Sequence, residues 1–283
     1  MSSTDPPSKG DGPRKDPRDL ISRGVYKSNP LGTATFIGLR ALDPLLQYEI
    51  LARGLGAGLL SAVGLATLPL GTTGLIPGGA LLDRLGLPLP RLIVLGMAVG
   101  STVKQVFWLT YLSREEFPPA AAVAVSLYNS FVNSANSILA VTAATTAALA
   151  YGPDIPVPGT GRAVSLPVAV GAVMYIVGMA VETVAEIQRK RFKDRPENKG
   201  KICRTGLWKL ASHINYGGYA VWRTGYTLAA GGWPAALVMG AFQSYDFATR
   251  SVAVMDDYMV SKYGEQWKEY KAEVPWVLFP GLY

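Results

Sequence analysis

Residues 163–192 read "AVSLPVAVGAVMYIVGMAVETVAEIQRKRF", and the change of character inside that stretch decides the fold. From 163 to 181 there is no Asp, Glu, Lys or Arg. A helix crossing a bilayer needs ~20 mostly apolar residues, and inside lipid a helix closes all its backbone hydrogen bonds within its own segment. From Glu182 onward the chain turns charged with no turn residue between, so the helix is expected to continue out of the membrane through "ETVAEIQRKRF". Three more windows lack charge, at 54–82, 117–153 and 224–245. Four such windows in one chain are not the pattern of a soluble domain. The composition agrees: 49% of residues are hydrophobic and 17% charged, against ~25% charged in an ordinary soluble domain. The fold class that follows is an all-α, polytopic integral membrane helical bundle of about six transmembrane helices with both termini cytosolic.

The first ~30 residues are polar and rich in Pro, Ser, Lys and Asp, with no apolar core of a secretory signal, and Asp5, Asp11, Asp16 and Asp19 do not suit a mitochondrial presequence. Residues 1–30 are therefore expected to be a disordered cytosolic arm. Residues 31–49 predict an amphipathic helix lying on the membrane, followed by a first span over about 50–70 in which Gly54, Gly56, Gly58 and Gly64 allow close helix contacts. "GTTGLIPGGALLDRLGLPLP" predicts a loop or re-entrant segment. Spans follow at 91–112, with Lys104 inside, and within 118–150. "GPDIPVPGTG" is expected to be a short turn, and 163–182 is the fourth span. Residues 214–250 are too long for one helix and are split by "GGWP" at 231–234, which predicts a two-helix hairpin. Nine Lys or Arg between Arg189 and Lys209, against Asp194 and Glu197, place that loop in the cytosol by the positive-inside rule. The single cysteine, Cys203, excludes an intrachain disulfide.

Chemistry concentrates in the last third. Arg189, Lys190, Arg191, Lys193 and Arg195 fall within seven residues. Such a cluster suits anionic lipid headgroups, or the phosphates of a cofactor, since Arg and Lys match phosphate oxygens. The formal net charge of +7 fits basic loops held against lipid better than nucleic acid. "SHINYGG" at 212–218 holds the one histidine of the chain. His213 can move or donate a proton. Asn215 offers an amide able to pair with a carboxamide, and Tyr216 a ring and a hydroxyl. The alternative is a capped helix start. Tyr216, Tyr219, Arg223 and Tyr226 then share one helical face. Arg223, about two turns into the span, marks a cavity or a partner, or else snorkels to the headgroups. Lys104 poses the same choice. Asp246 and Arg250 are spaced for an ion pair. Tyr263, Trp267 and Tyr270 form an interfacial aromatic face after Asp256 and Asp257. No metal site is expected.

Residues 182–283 resemble the superfamily of sterol reductases, steroid 5-alpha-reductases and isoprenylcysteine carboxyl methyltransferases. The resemblance rests on Gln188-Arg189-x-x-Phe192-Lys193-x-x-Pro196, Gly206-Leu207-Trp208 and the run from Ser212 to Tyr219. It ends in Lys262-Tyr263-Gly264-x-x-Trp267-x-x-Tyr270, Val274-Pro275-Trp276 and Pro280-x-x-Tyr283. It implies an NADPH-binding region over 183–283 and N-terminal transmembrane helices over 31–182 that form the substrate cavity. It further implies that Arg189 and Lys193 meet cofactor phosphates, that Trp208, His213, Asn215 and Tyr216 line the cofactor pocket, and that Asp256 stands for an acid at the end of the last span. The chain departs from the pattern at Ser212, where the sterol reductases have Arg, at Ile214, where they have Pro, and at Tyr219, where they have Glu or Asp.

Three functions follow from these residues. The first is a membrane-embedded NADPH-dependent reductase of a double bond in a lipophilic substrate, an oxidoreductase acting on CH–CH groups. By chemistry alone Tyr216, His213 and Tyr219 are its candidate proton donors. The second is a membrane methyltransferase using S-adenosylmethionine. The third is a catalytically inactive scaffold or lipid-binding protein of the same fold, favoured by Tyr219. The expected partners are the bilayer and a lipophilic small molecule, with no nucleic acid, and fold analogy points to the endoplasmic reticulum.

Overall fold

A computed structural model describes residues 25–73, 84–113 and 115–283. Most of the expected arm, and 74–83 of the expected loop or re-entrant segment, lie outside these residues. Among the described residues the architecture is helical with a single two-stranded hairpin, which bears out the all-α class. The long elements are α1 (Pro30–Arg53), α3 (Leu89–Phe107), α4 (Pro119–Val141), α5 (Leu166–Asp194) and α6 (Ile214–Asp246). Shorter helices are α2 (Ala57–Ala62), α7 (Val252–Tyr263) and α8 (Glu265–Glu273). A π-helical turn, Trp108–Leu112, prolongs α3, and another, Phe247–Ser251, joins α6 to α7. Leu89–Leu112 and Leu166–Asp194 are long and apolar enough to cross a membrane by length and composition.

The expected first span is corrected. The helix is Pro30–Arg53, not 50–70. It starts with Asn29 accepting from Gly32 N and stops where Gly54 takes φ 71°. Gly56 and Gly64 also sit at positive φ, a region that glycine enters at little cost, so these glycines break the chain instead of packing a helix. The helix is not laid on a surface either. Its polar residues Arg40, Asp43 and Gln47 are fully buried while Leu31, Leu42, Leu45 and Leu46 face outward. Polar side chains inside and leucines outside is the arrangement that lipid favours. The buried stripe meets α4 in a constant register. Arg40 bonds Ser130, Asn133 bonds Asp43, and Ser137 bonds Gln47, each pair ninety residues apart. The two helices therefore run parallel. Arg40 and Asp43 form an ion pair at 3.3 Å with both side chains fully buried.

The other long helices agree more closely with the sequence. α3 with its π turn covers 89–112. α4 ends at Val141, short of 150. α5 runs unbroken from the apolar window into the charged segment. The expected turn at 152–161 instead holds the first strand and the loop of a hairpin, β1 (Asp154–Val157) paired antiparallel with β2 (Arg162–Ser165), with Gly159 and Gly161 at positive φ. The "GGWP" break appears as Gly232, at φ 74° and ψ −171°, which folds α6 into two arms. Gly240 returns beside Thr224, and the Phe247 ring stacks on Tyr216 at 4.9 Å.

α5 and α6 pack through glycines seven residues apart on each helix. A Cβ at Gly171 or Gly178 would meet the Gly225 or Gly218 carbonyl oxygen at 2.6 Å, so backbone lies against backbone. The contact holds the inner ends of the two helices together where the site is built. Neither internal charge snorkels. Arg223 is fully buried and donates to Asn129, Asn133 and the Tyr219 hydroxyl. Lys104 pairs with Glu182, which also accepts from Trp222 Nε1. Asp246 and Arg250 form the expected pair at 2.7 Å.

Candidate functional site

At one end of the bundle, the charged end of α5, the start of α6, α7 and α8 surround a cavity of about 600 Å³. Volumes of this order are usual for cofactor and ligand pockets. The π turn after α3 contributes Trp108 and Leu112, and the chain entering α1 contributes Tyr26.

The expected motif residues form the walls, and much of what they do is hold the chain in place. Gln188 Oε1 accepts from Leu207 N at 2.8 Å, and Gly206, at φ 62°, lies so close to Gln188 that a Cβ there would collide with its amide. Trp208 Nε1 donates to the Ala185 carbonyl at 2.8 Å, and its own carbonyl accepts from Tyr270 Oη at 2.6 Å. The "GLW" segment is thereby fixed against α5. The chain before α6 is fixed from the other side: Ser212 N and His213 N donate to the carbonyls of Trp276 and Val277. A Cβ on Gly217 would run into the Leu278 carbonyl, so the tail lies directly on the first turn of α6.

On this frame six of the expected cofactor residues, Arg189, Lys193, Trp208, His213, Asn215 and Tyr216, line the cavity together. Asp256 stands behind them. Its Oδ1 is 3.1 Å from His213 Nε2 and its Oδ2 is 2.5 Å from Lys271 Nζ. Burial raises the Asp256 pKa, but the hydrogen bonds and charges of His213 and Lys271 outweigh it and bring it below its ordinary value. A carboxylate only accepts, so His213 presents Nε2–H to Asp256. Tyr219, the third candidate proton donor, is not among the lining residues. Its hydroxyl accepts from Arg223 Nε at 3.1 Å and its ring packs against Trp222 and Phe247.

Several lining residues were not singled out from sequence. Glu186 is buried and accepts from Asn215 Nδ2 at 2.7 Å while pairing with Arg189. Its spacing three before Arg189 was a usable signal, but its contact with Asn215 spans 29 residues and needs α5 and α6 side by side. With Nδ2 engaged, the Asn215 amide is oriented, and Oδ1 has no protein partner among the described residues. The carboxylate that meets Asn215 thus comes from α5, not from position 219. Tyr258 also lines the cavity, together with Lys262 and Tyr263 of the motif, neither of them an expected cofactor residue. Lys262 Nζ donates to Tyr258 Oη at 2.7 Å. Burial acts to lower the Lys262 pKa, but that bond and the neighbouring phenols raise it on balance. Lys193 Nζ reaches Tyr263 Oη at 2.6 Å.

The lining divides by burial: Asn215, Glu186 and Trp208 are buried, while Lys193, Lys199 and Lys262 are exposed. Glu115 and Asp194 line the same cavity, the latter paired with Lys190. A long ligand with an amide or apolar end inward and an anionic end outward suits such a lining.

Comparison with known proteins gives the family. Residues 120–274, more than half of the chain, match the family described as "Protein of unknown function (DUF1295)". The chain belongs to this family. It is 34% identical over 247 residues to "Probable O-methyltransferase ustE" of Ustilaginoidea virens, covering 87% of this chain and 84% of that one. It is 25% identical over 134 residues to "Probable 7-dehydrocholesterol reductase" of Acanthamoeba polyphaga mimivirus, covering 39% and 28%. It is 32% identical over 91 residues to "7-dehydrocholesterol reductase" of Xenopus laevis, covering 32% and 19%. These matches bear out the superfamily of reductases and methyltransferases that the motifs of the last third resemble.

Proposed function

We propose that this protein is a membrane-embedded reductase that uses NADPH to reduce a double bond in a lipophilic substrate. The observation that carries the proposal is the lining of the cavity, which combines a buried amide oriented by Glu186 with exposed lysines. Bound there, the dinucleotide would supply hydride. Asn215, its amide turned by Glu186, is suited to receive the carboxamide of the nicotinamide ring through Oδ1. Trp208 and Tyr216 offer ring faces beside it. The reacting part of the substrate is placed against Trp108 and Leu112, which the N-terminal helices contribute, and those helices supply the rest of its binding cavity. Tyr216 holds a phenol at the same wall and is the first choice as proton donor. His213, with Nε2–H committed to Asp256, donates only when Nδ1 is also protonated. Outward-facing leucine, valine and phenylalanine on the long helices support the bilayer as the medium, and fold analogy alone points to the endoplasmic reticulum.

A second reading is an S-adenosylmethionine-dependent methyltransferase, which the name of the relative matching most of the chain favours. The two cofactors differ in charge where the cavity is most basic. S-adenosylmethionine brings a sulfonium, an ammonium and one carboxylate, and three exposed lysines exceed what that single anion needs.

The test is thermal unfolding of the detergent-solubilised protein with each cofactor separately. A ligand at ~100 times its dissociation constant adds ~2.7 kcal/mol to stability. NADPH is expected to raise the melting temperature. A rise with S-adenosylmethionine alone would establish the methyltransferase. No rise with either would leave a binding scaffold, the third function open to this fold.

A further inference from the structure

A second cavity lies at the opposite end of the bundle. It holds about 250 Å³ and is walled by the last turn of α1, the chain before and after α2, Arg91 at the start of α3 and Val141 at the end of α4. The chain enters α1 beside the first cavity, and α1 has 24 residues, so at 1.5 Å per residue its ends are about 36 Å apart. The hydrocarbon core of a bilayer is ~30 Å thick. The second cavity is therefore at the headgroup level of the face away from the first. Leu55, Leu59 and Val63 are exposed beside it, which suits contact with lipid.

Arg91 is 7% exposed and lines this cavity. Its Nη1 donates to the Leu51 carbonyl at 2.9 Å and its Nη2 to the Leu68 carbonyl. The first of these bonds caps the last turn of α1, where helix carbonyls lack partners within the helix. Together they use two of the five N–H groups of a guanidinium. They do not balance its charge. No carboxylate pairs with Arg91 among the described residues, whereas Arg40 and Lys104, inside the bundle, have Asp43 and Glu182. A buried charge is costly unless a counter-charge is supplied. The wall that receives Arg91 is itself fixed. Leu68 N donates to the Val141 carbonyl and Ala143 N to the Ala66 carbonyl, so this segment is pinned to the end of α4. Thr67 also lines the cavity, and its hydroxyl has no protein partner among the described residues.

We infer that this cavity binds the phosphodiester of an anionic phospholipid, drawn from the leaflet on the far side of the membrane, with Arg91 as its counter-charge. A guanidinium meets phosphate oxygens through paired N–H groups. A phosphodiester carries a single negative charge, the amount that Arg91 leaves unbalanced. Arg53 stands at the same cavity but already pairs with Glu49 at 2.9 Å. The size fits a headgroup. Cofactor and ligand pockets usually hold ~300–1,000 Å³, so this one takes a glycerophosphate end and not a whole lipid. Ile50, Leu55, Leu70 and Val141 line it and would meet the glycerol and the first methylenes. An anionic lipid is preferred to a zwitterionic one, because the latter would bring its ammonium in beside two arginines. The site does not depend on which cofactor the first cavity takes.

The experiment measures lipid retention by the detergent-solubilised full chain, read by native mass spectrometry and by melting temperature. Phosphatidylglycerol, phosphatidylcholine and glycerol 3-phosphate are added separately. Phosphatidylglycerol is expected to leave a single lipid on each chain and to raise the melting temperature, with phosphatidylcholine held about ten-fold more weakly. Two variants separate the site from the general lipid surface. Ala57→Phe puts a ring into the cavity and leaves both Arg91 bonds in place, and Arg91→Gln removes the charge. Each is expected to weaken phosphatidylglycerol about ten-fold or more, as loss of a charge-assisted hydrogen bond does. Arg91 also caps α1, so Arg91→Gln is expected to melt lower without lipid. Ala57→Phe is expected to melt like the unliganded wild type, and it decides the question if Arg91→Gln does not fold. Equal retention of the two lipids by the wild type overturns the inference. Retention of phosphatidylglycerol unchanged in Ala57→Phe also overturns it, and assigns the lipid to the outer surface or to the basic cavity at the other end. An equal rise in melting temperature with glycerol 3-phosphate at the same concentration makes the ligand a free phosphate ester, and the lipid inference fails.

Discussion

Asp256 holds two side chains at once, His213 on the cavity wall and Lys271 on α8. Its place behind the lining residues makes it a support for the orientation of His213. Asp256→Asn keeps the shape but presents an amide N–H where an acceptor is needed. At neutral pH it is expected to destabilise the protein by about 1.5–3 kcal/mol, typical of hydrogen bonds to a charged group. The pH dependence has a definite sign. The native pKa of Asp256 lies below its ordinary value, so its stabilisation is complete above the ordinary carboxylate range and disappears as pH falls through the depressed native value. Melting curves of the two proteins should therefore differ at pH ~7 and converge toward pH ~2. A difference that persists undiminished in acid would assign the effect to packing. His213, Asn215 and Tyr216 were legible as a functional group because a lone histidine, an amide and a phenol crowd a helix start. Glu186 was not. It looks like one more charge in a charged helix until α6 places Asn215 against it.

The elements show what hydrophobic pattern can and cannot specify. Charge-free windows located α4, α5 and the second arm of α6, since length and apolarity are properties of a segment alone. The stripe of Arg40, Asp43 and Gln47 was equally visible, and the expectation of a surface helix was natural for it. Periodicity reveals that a helix has two faces, but the surroundings decide which face is turned inward. In α1 the polar face meets the Ser and Asn side chains of α4, and the leucines face out. The glycines of the chain divide in the same way. Gly54 and Gly56 end a helix through positive φ, whereas Gly178 and Gly218 allow two helices to touch. Gly178→Ala tests the second role. Its Cβ would sit 2.6 Å from the Gly218 carbonyl oxygen and 2.9 Å from the Trp222 Cβ, atoms of a helix backbone and its root that have no rotamer to yield. The variant is expected to lose roughly 1–3 kcal/mol, the usual cost of overpacking, read as a lower melting temperature. Gly38→Ala, where a Cβ meets nothing within 4 Å, is the matching control and should melt like the wild type.

At the scale of the whole molecule, contact registers fix the direction of each pass. α1 and α4 run parallel, with pairs ninety residues apart. α3 runs against α1, since Thr102 meets Arg40 while Arg91 meets Leu51. α5 runs with α3, because Tyr175 bonds Met97 and Lys104 pairs with Glu182. The two arms of α6 then go out and return about Gly232. Among the described residues six helical segments alternate in direction, so the cavity, the start of α1 and the C-terminal helices share one end, and the 151–165 hairpin region and Gly232 share the other. The basic loop from Arg189 to Lys209 belongs to the cavity end, where the positive-inside rule places the cytosol. This arrangement makes a prediction that no single helix could make. Tyr151, fully exposed at the hairpin end, and Lys268, exposed on α8, should lie on opposite faces of a membrane. The native Cys203 is buried, so single cysteines at either position can be read against a quiet background. In sealed vesicles of known orientation, a membrane-impermeant thiol reagent added outside is expected to label only one of Tyr151→Cys and Lys268→Cys. Detergent should then expose the other. Labelling of both from the same side would mean that the six passes do not each cross the bilayer, and that the bundle sits on one leaflet with its cavity facing water.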